Sequence, residues 1–223
     1  MNRYETVIAG GAEHATSANK VLKNTYMLLS VTLIWSAVLA VVSMAINPPP
    51  LVSIGTSLGA LALLWFALPR TANSSAGIGM VFLITGLLGF GLGPTLNYYA
   101  AMPNGGQIIA TAFGGTGIIF LGLSGYALTS KRDFSFMGGF LFAGLMVVMV
   151  ASLAGLFLEM PGLHLAISAA IVLLMSGLIL FETSQIIRGG ETNYLLATIS
   201  LYLSILNLFQ ALLHLLGAFS SDD

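Results

Sequence analysis

The sequence contains no cysteine and very few charged residues. Without cysteine, the 223-residue chain has no disulfide, no thiolate metal site and no cysteine nucleophile. Charged residues make up 7% of the sequence, against about 25% in soluble domains, and 57% is hydrophobic. So little charge cannot cover a water-facing surface, and a net charge of −1 offers no basic patch for nucleic acid. We therefore predict an integral membrane protein that binds no nucleic acid and no cofactor.

Seven apolar segments are long enough, or nearly so, to cross the hydrocarbon core of a bilayer, which takes about 20 helical residues. Clusters of proline, glycine and charged residues separate these segments, as is typical of connecting loops. The predicted spans cover residues 25–46, 51–68, 76–97, 107–128, 136–158, 163–187 and 194–219. The expected fold class is an all-α integral membrane protein with seven transmembrane helices.

The basic residues indicate how the spans are oriented. Cytoplasmic loops are enriched in lysine and arginine. All seven such residues precede span one or lie in the 2–3, 4–5 and 6–7 loops: Arg3, Lys20, Lys23, Arg70, Lys131, Arg132 and Arg188. We therefore predict a cytoplasmic N-terminus and a periplasmic C-terminus, and a six-span chain would break this pattern. Residues 1–24 are predicted to be a flexible cytosolic tail without a cleavable signal, 25–219 a membrane domain and 220–223 a short outer-side tail.

Glycine is abundant, with 26 residues. Small residues allow transmembrane helices to approach closely, and the pairs Gly55/Gly59 and Gly89/Gly93 have GxxxG spacing. We expect these glycines to mark tight packing within the chain, with dimerisation through one such face as the alternative. Pro94, inside span three, is expected to kink or loosen that helix.

Glu182 is the only acidic residue well inside a predicted span. It lies roughly 9 Å from the predicted cytoplasmic end of span six, at about 1.5 Å per helical residue. A charge at mid-bilayer costs about 3 kcal/mol on insertion scales, and such residues often mark ion or proton pathways. The alternatives are a protonated or hydrogen-bonded structural glutamate, or one that extends towards Arg188.

Span seven carries a polar stripe. Ser200, Ser204, Asn207 and His214 share one face at about 100° per residue, with Gln210 on its flank. We predict that this face points inward. It would either form interhelical hydrogen bonds or line a polar cavity.

A second polar group is predicted near the outer surface. Glu159, His164 and His214 fall at the same membrane level, where they would form a proton-sensitive or metal-binding cluster, with the metal left open. Ser124 lies in a GxSG sequence that also occurs in rhomboid intramembrane proteases. It is predicted at the opposite end of the spans from both histidines, too far for a serine–histidine pair. We find no catalytic set and predict that the protein is not an enzyme.

Several segments resemble the transmembrane Bax inhibitor motif family. Residues 86–98, 180–187 and 201–209 resemble its motifs in spans three, six and seven. The stretches 20–26 and 164–168 are most similar to the bacterial YccA-like branch. The resemblance covers nearly the whole chain beyond the tail. It implies a seven-helix fold in which the last helix is central.

The resemblance has two functional implications. Family members are associated with a pH-sensitive calcium leak that depends on one carboxylate in span six and one in span seven. Glu182 occupies the first position, but Ser204 replaces the second carboxylate, so this pair is incomplete. YccA-like proteins are instead substrates and modulators of FtsH, the membrane-anchored ATP-dependent protease, which engages a flexible cytosolic N-terminal tail.

We therefore predict a bacterial inner-membrane protein that modulates FtsH in membrane-protein quality control. Its expected partners are the FtsH complex and the lipid bilayer. The alternative is a proton or calcium leak channel in which Glu182, Ser204 and Asn207 form the gate. A small-solute transporter is a third possibility, but no inverted repeat or pair of broken helices supports it.

Overall fold

The computed structural model describes residues 3–130, 132–155, 157–158 and 160–220, with side chains from Thr16 onward except Pro161. Within these ranges the chain is almost entirely helical and contains no strand. The helices are α1 (Arg3–Ile46), α2 (Pro50–Ala62), α3 (Leu68–Thr71), α4 (Ala76–Gly91), α5 (Gly93–Ala100), α6 (Gly105–Thr129), α7 (Gly138–Gly155), α8 (Pro161–Ile187) and α9 (Tyr194–Ser220). A π-helical turn, Leu63–Ala67, joins α2 to α3, and a 3₁₀ turn, Ser135–Met137, precedes α7.

Seven helical segments among the described residues are long and apolar enough to cross a membrane, which confirms the predicted fold class. These segments are Thr16–Ile46, Pro50–Thr71, Ala76–Ala100, Gly105–Thr129, Ser135–Gly155, Gly162–Ile187 and Tyr194–Ser220, numbered here as spans one to seven. Spans two to seven agree with the predicted ranges to within three residues at each end.

The first helix begins earlier than the sequence analysis predicts. We placed the start of span one at Thr25, but α1 is continuous from Arg3. The segment before Thr25 is rich in alanine and contains lysine, leucine and glutamate, which are strong helix formers. Extending an existing helix avoids the cost of a new nucleus. The flexibility and cytosolic location of residues 1–24 stay predictions.

Span two continues past the point where the sequence predicts its end. Pro69 was expected to terminate the helix near residue 68, yet the helix continues to Thr71. A proline ring inside an α-helix collides with the carbonyl four residues earlier. The π turn accommodates Pro69 by adding a residue to the preceding turn, with the Leu68 N–H bonded to the Leu63 carbonyl.

Span three is divided at the predicted proline. Helix α4 ends at Gly91 and α5 begins at Gly93, so Pro94 lies in the first turn of a new helix, where its missing N–H costs least. The Leu92 N–H bonds to the Gly89 carbonyl, three residues back, as the helix tightens before the break. The predicted interruption of span three is confirmed.

Helix α9 is the central helix, as the family resemblance implies. Thirteen of its 27 residues are buried. It packs against α1, α4, α6 and α8, while α7 lies further out against α8. The first helix and the central helix are also in direct contact.

Glycines allow close helix packing in span three, but not in span two, where the sequence analysis also expected it. Gly89 lies against the backbone of Ser36 in α1, where an added Cβ would come within 2.7 Å of the Ser36 Cα. Gly93 contacts Ser43 of α1 in the same way. In contrast, a Cβ on Gly55 would meet no atom within 4 Å, and one on Gly59 only the tip of Leu87 at 4.0 Å. Of these two GxxxG pairs, only the one in span three is therefore used for close packing, and its partner is α1.

Candidate functional site

Glu182 is joined to the central helix by a hydrogen bond. The Ser204 hydroxyl of α9 donates to Oε2 of Glu182 in α8 at 3.0 Å. Ser204 is 3% exposed and Glu182 is half-buried. A carboxyl group placed among apolar helices needs a polar partner, and here that partner is a hydroxyl. The structure thus brings together the two span-six and span-seven positions that the resemblance singled out, while their role as a gate stays a prediction.

A second set of hydroxyl contacts lies beside Glu182. Thr183 Oγ1 is 3.4 Å from Ser124 Oγ in α6 and 3.3 Å from the Tyr26 hydroxyl in α1. Three helices therefore meet through one buried threonine. Sequence reasoning missed these contacts because isolated hydroxyl residues are common in transmembrane helices and give no distinctive pattern.

Another buried pair connects α9 to span three. The Tyr202 hydroxyl lies 2.6 Å from Ser36 Oγ and donates to the Thr85 carbonyl at 3.2 Å. Tyr202 is 1% exposed. The sequence motif around Tyr202 was noted for its resemblance, but its hydrogen-bond partners lie in spans one and three and depend on the tertiary fold.

The prediction that the whole span-seven stripe faces inward is wrong. Asn207 is exposed, and its side-chain amide donates to the Leu203 carbonyl of its own helix at 2.8 Å. Ser200, Gln210 and His214 are exposed as well. Ser204 and Asn207 are three residues apart in the helix, which separates them by about 60° around the axis of α9. The boundary between the buried and the exposed face runs between them. Asn207 is therefore not brought together with Glu182 and Ser204.

The outer cluster is observed in part. The ring centroids of His164 and His214 are 6.5 Å apart, and the Tyr99 hydroxyl lies 3.3 Å from Nδ1 of His214. Glu159 lies outside the described residues. Within the part of the chain that the structure describes, no group of three or more histidine, cysteine, aspartate or glutamate side chains could hold a metal ion. The participation of Glu159 in this cluster therefore stays a prediction.

The 4–5 loop covers the end of α8 that is nearest to Glu182. The Phe134 N–H donates to Ser184 Oγ at 3.3 Å, and the Gln185 amide donates to Ser135 Oγ at 3.3 Å. Asp133 lies 3.6 Å from Arg188. Hydrogen bonds from Ser135 hold the pKa of the Asp133 carboxyl below its ordinary value, and Arg188 lowers it further. The resulting contribution to the stability of the folded protein is present above the ordinary aspartate pKa. It is lost as the pH falls through the lowered pKa of Asp133.

The geometry limits the chemistry of these groups. One carboxyl group with one hydroxyl partner can hold or pass a proton, but it is too few oxygen ligands for calcium, which takes six to eight. Ser124 contacts Thr183, while the two histidines contact each other at the opposite end of α8. Ser124 is thus not paired with either of the histidines whose side chains the structure describes.

Replacing Ser204 by alanine tests the contact with Glu182. We expect Ser204→Ala to lower the free energy of unfolding by about 0.5–2 kcal/mol, because it leaves a half-buried carboxyl oxygen without its donor. Ser200→Ala, one turn earlier on the exposed face, should have no measurable effect. Unfolding of the purified proteins by a denaturing detergent gives both values, and equal stability of the two variants would contradict the contact.

Comparison with known proteins agrees with this architecture. The family described as inhibitor of apoptosis-promoting Bax1 matches residues 18–221. An uncharacterized membrane protein of Vibrio cholerae is 54% identical over 223 residues, which covers all of both chains. The modulator of FtsH protease YccA of Escherichia coli K12 is 50% identical over 206 residues, covering 92% of this chain and 93% of that protein.

The inner membrane protein YccA of Escherichia coli O6:H1 has the same identity and coverage. The family match extends over all seven spans and includes both Glu182 and Ser204. The chain therefore belongs to the Bax inhibitor-1 family of membrane proteins.

Proposed function

We propose that this protein is an inner-membrane modulator and substrate of the ATP-dependent protease FtsH, and that it acts in membrane-protein quality control. The observation that carries the proposal is the 50% identity to a protein named modulator of FtsH protease, over more than nine-tenths of both chains. The match covers most of the membrane bundle rather than one motif. This supports a shared surface as well as a shared fold.

The N-terminal part of α1 is the proposed point of engagement. It begins at Arg3 and precedes span one, which starts at Thr16. The distribution of lysine and arginine supports a cytoplasmic location for this segment. A cytosolic ATPase ring needs a terminus that extends beyond the membrane, and the segment before span one is the one that we propose for this role.

The bundle itself supplies the proposed resistance to extraction. Pulling α1 out of the membrane would break the Ser36–Tyr202 and Tyr26–Thr183 contacts and the close packing on Gly89. These interactions connect α1 to spans three, six and seven, so the first helix cannot leave without disturbing the central one. A substrate that unfolds slowly occupies the protease and reduces the turnover of other substrates.

Pulse-chase turnover of a known FtsH membrane substrate in cells tests the proposal. We expect overproduction of the full-length chain to slow the decay of that substrate severalfold, because the two compete for one protease. An unrelated seven-span protein, produced at the same level, controls for general membrane crowding. Unchanged substrate decay, together with no FtsH-dependent degradation of the chain itself, would contradict the proposal.

Glu182→Gln separates this function from an ion leak. The amide preserves an acceptor for Ser204, so the bundle should stay intact and the effect on substrate turnover should be unchanged. The leak alternative predicts instead that purified protein in liposomes carries a proton or calcium flux that Glu182→Gln abolishes. Flux measured with a pH-sensitive or calcium-sensitive dye inside the vesicles distinguishes the two outcomes.

A further inference from the structure

Two histidines from different helices face each other at one end of the bundle. His164 lies in the first turn of α8 and His214 in the penultimate turn of α9. Their ring centroids are 6.5 Å apart, with 59° between the ring planes. Both side chains are exposed on the surface of the bundle. This pair is remote from Glu182, which lies near the other end of α8.

Neighbouring groups hold both rings in place. The Tyr99 hydroxyl contacts Nδ1 of His214 at 3.3 Å, and Tyr99 is only 7% exposed. Gly217, one turn after His214, lets the Tyr99 ring lie against α9, since an added Cβ would be 2.5 Å from Tyr99 Cε1. Gly155 lets the His164 ring lie against α7, since an added Cβ would be 3.3 Å from the His164 Cε1. The rings are thus positioned by packing on α5, α7 and α9.

The contact with Tyr99 also determines which nitrogen of His214 is available. Histidines that bind metals usually donate their other ring N–H to a hydrogen-bond partner, which sets the tautomer and orients the ring. When Nδ1–H of His214 donates to the Tyr99 oxygen, Nε2 is left unprotonated. That nitrogen is then free to bind an ion.

The separation of the rings suits one ion held between them. With metal–nitrogen distances of about 2.0–2.1 Å, two imidazoles on one ion have centroids about 5.2 Å apart for a tetrahedral angle and about 6.4 Å apart for a linear one. The observed 6.5 Å is at the linear limit. Rotation of the exposed rings towards each other would bring them to the tetrahedral distance.

We propose that His164 and His214 bind a first-row transition metal ion, of the class of Zn²⁺ or Cu²⁺, at the predicted outer end of the bundle. Imidazole nitrogen is a preferred ligand for these ions, and water would complete the coordination at the exposed side. Tyr99 is the positioning residue. The bound ion would connect the start of α8 to the end of the central helix, so it should stabilise the bundle against unfolding.

Titration calorimetry with ZnCl₂ on purified protein, after removal of any affinity tag, tests this site. We expect one Zn²⁺ per chain. His164→Gln and His214→Gln should each reduce the affinity at least about tenfold, and Tyr99→Phe about tenfold, as is usual when an outer-shell partner is lost. His14→Gln, which removes the remaining histidine of the sequence, should leave binding unchanged. Absence of saturable binding, or the same binding in the His164→Gln/His214→Gln double variant, would overturn the proposal.

Two further measurements keep a folding defect from being mistaken for a lost site. Thermal unfolding without metal should be the same in the unmodified protein and in the His→Gln variants, while added Zn²⁺ should raise the midpoint only of the unmodified protein and His14→Gln. The unmodified protein loaded with one Cu²⁺ should show an electron paramagnetic resonance spectrum with splitting from two imidazole nitrogens. A spectrum without nitrogen splitting would rule out the two-histidine site independently of any variant.

Discussion

Under the proposed function, deletion of residues 2–15 is expected to turn a substrate of FtsH into a long-lived inhibitor of it. The deletion leaves span one, Thr16–Ile46, and the described side-chain contacts in place. The truncated chain would lack the terminus at which the protease begins extraction. Its bundle would still insert into the membrane and fold. The half-life of the truncated chain should rise severalfold, and the decay of a second FtsH substrate should slow beyond the effect of the full-length chain.

Replacement of residues 2–15 by a glycine–serine segment of equal length is the matched control. If the protease requires only a terminus of sufficient length, this variant should be degraded like the full-length chain. If it reads the sequence of the segment, the variant should behave like the deletion. Degradation of the deleted chain at the full-length rate would contradict tail-dependent engagement, and the proposed point of contact would have to move to another cytoplasmic segment.

Gly89→Ala is expected to cause a large loss of stability for so small a substitution. The added Cβ would lie 2.7 Å from the Cα of Ser36, so the backbones of α1 and α4 would have to separate. Overpacking of this kind costs about 1–3 kcal/mol. The separation would also disturb the contact of Ser36 with Tyr202, which connects α1 to the central helix. We expect a lower thermal midpoint in detergent, measured by tryptophan fluorescence.

Gly79→Ala provides the comparison, since both glycines lie in α4 and a Cβ on Gly79 would meet no atom within 4 Å. Both substitutions gain the same intrinsic helix propensity, about 1 kcal/mol in water. The difference between their midpoints therefore reports the packing on Ser36 alone. Equal midpoints would show that α1 and α4 tolerate the extra methyl group. The proposed resistance of the bundle to extraction by the protease would then need another explanation.

The spans could be predicted from the sequence because hydrophobicity over about 20 residues is a local property that lipid imposes on each helix separately. Prolines were harder to interpret. Pro94 interrupts span three as expected, whereas Pro69 is absorbed by a π turn that a local rule does not anticipate. The start of α1 was misplaced because helix formation continues beyond the apolar stretch that a membrane requires.

The candidate site could be predicted only as a set of residues. Glu182 stands out because an acid inside a span is rare, and His164 and His214 because they share a membrane level. Asn207 was wrongly placed on the inward face because helical periodicity gives the angle between side chains but not the position of the buried edge. The contacts of Thr183 with Tyr26 and Ser124 were missed because hydroxyl groups inside spans do not indicate which partners they will meet.

The sequence by itself determined that this is a seven-span membrane protein with a single acid near one end of span six, because hydropathy and charge act residue by residue. Only the tertiary structure decided that Ser204 reaches Glu182, that Tyr99 orients His214, and that Gly89 brings α1 against α4. Each of these contacts joins helices that are distant in sequence, and their distances depend on how the helices pack around α9. Packing of that kind follows from shape complementarity among all the helices together, which no local pattern records.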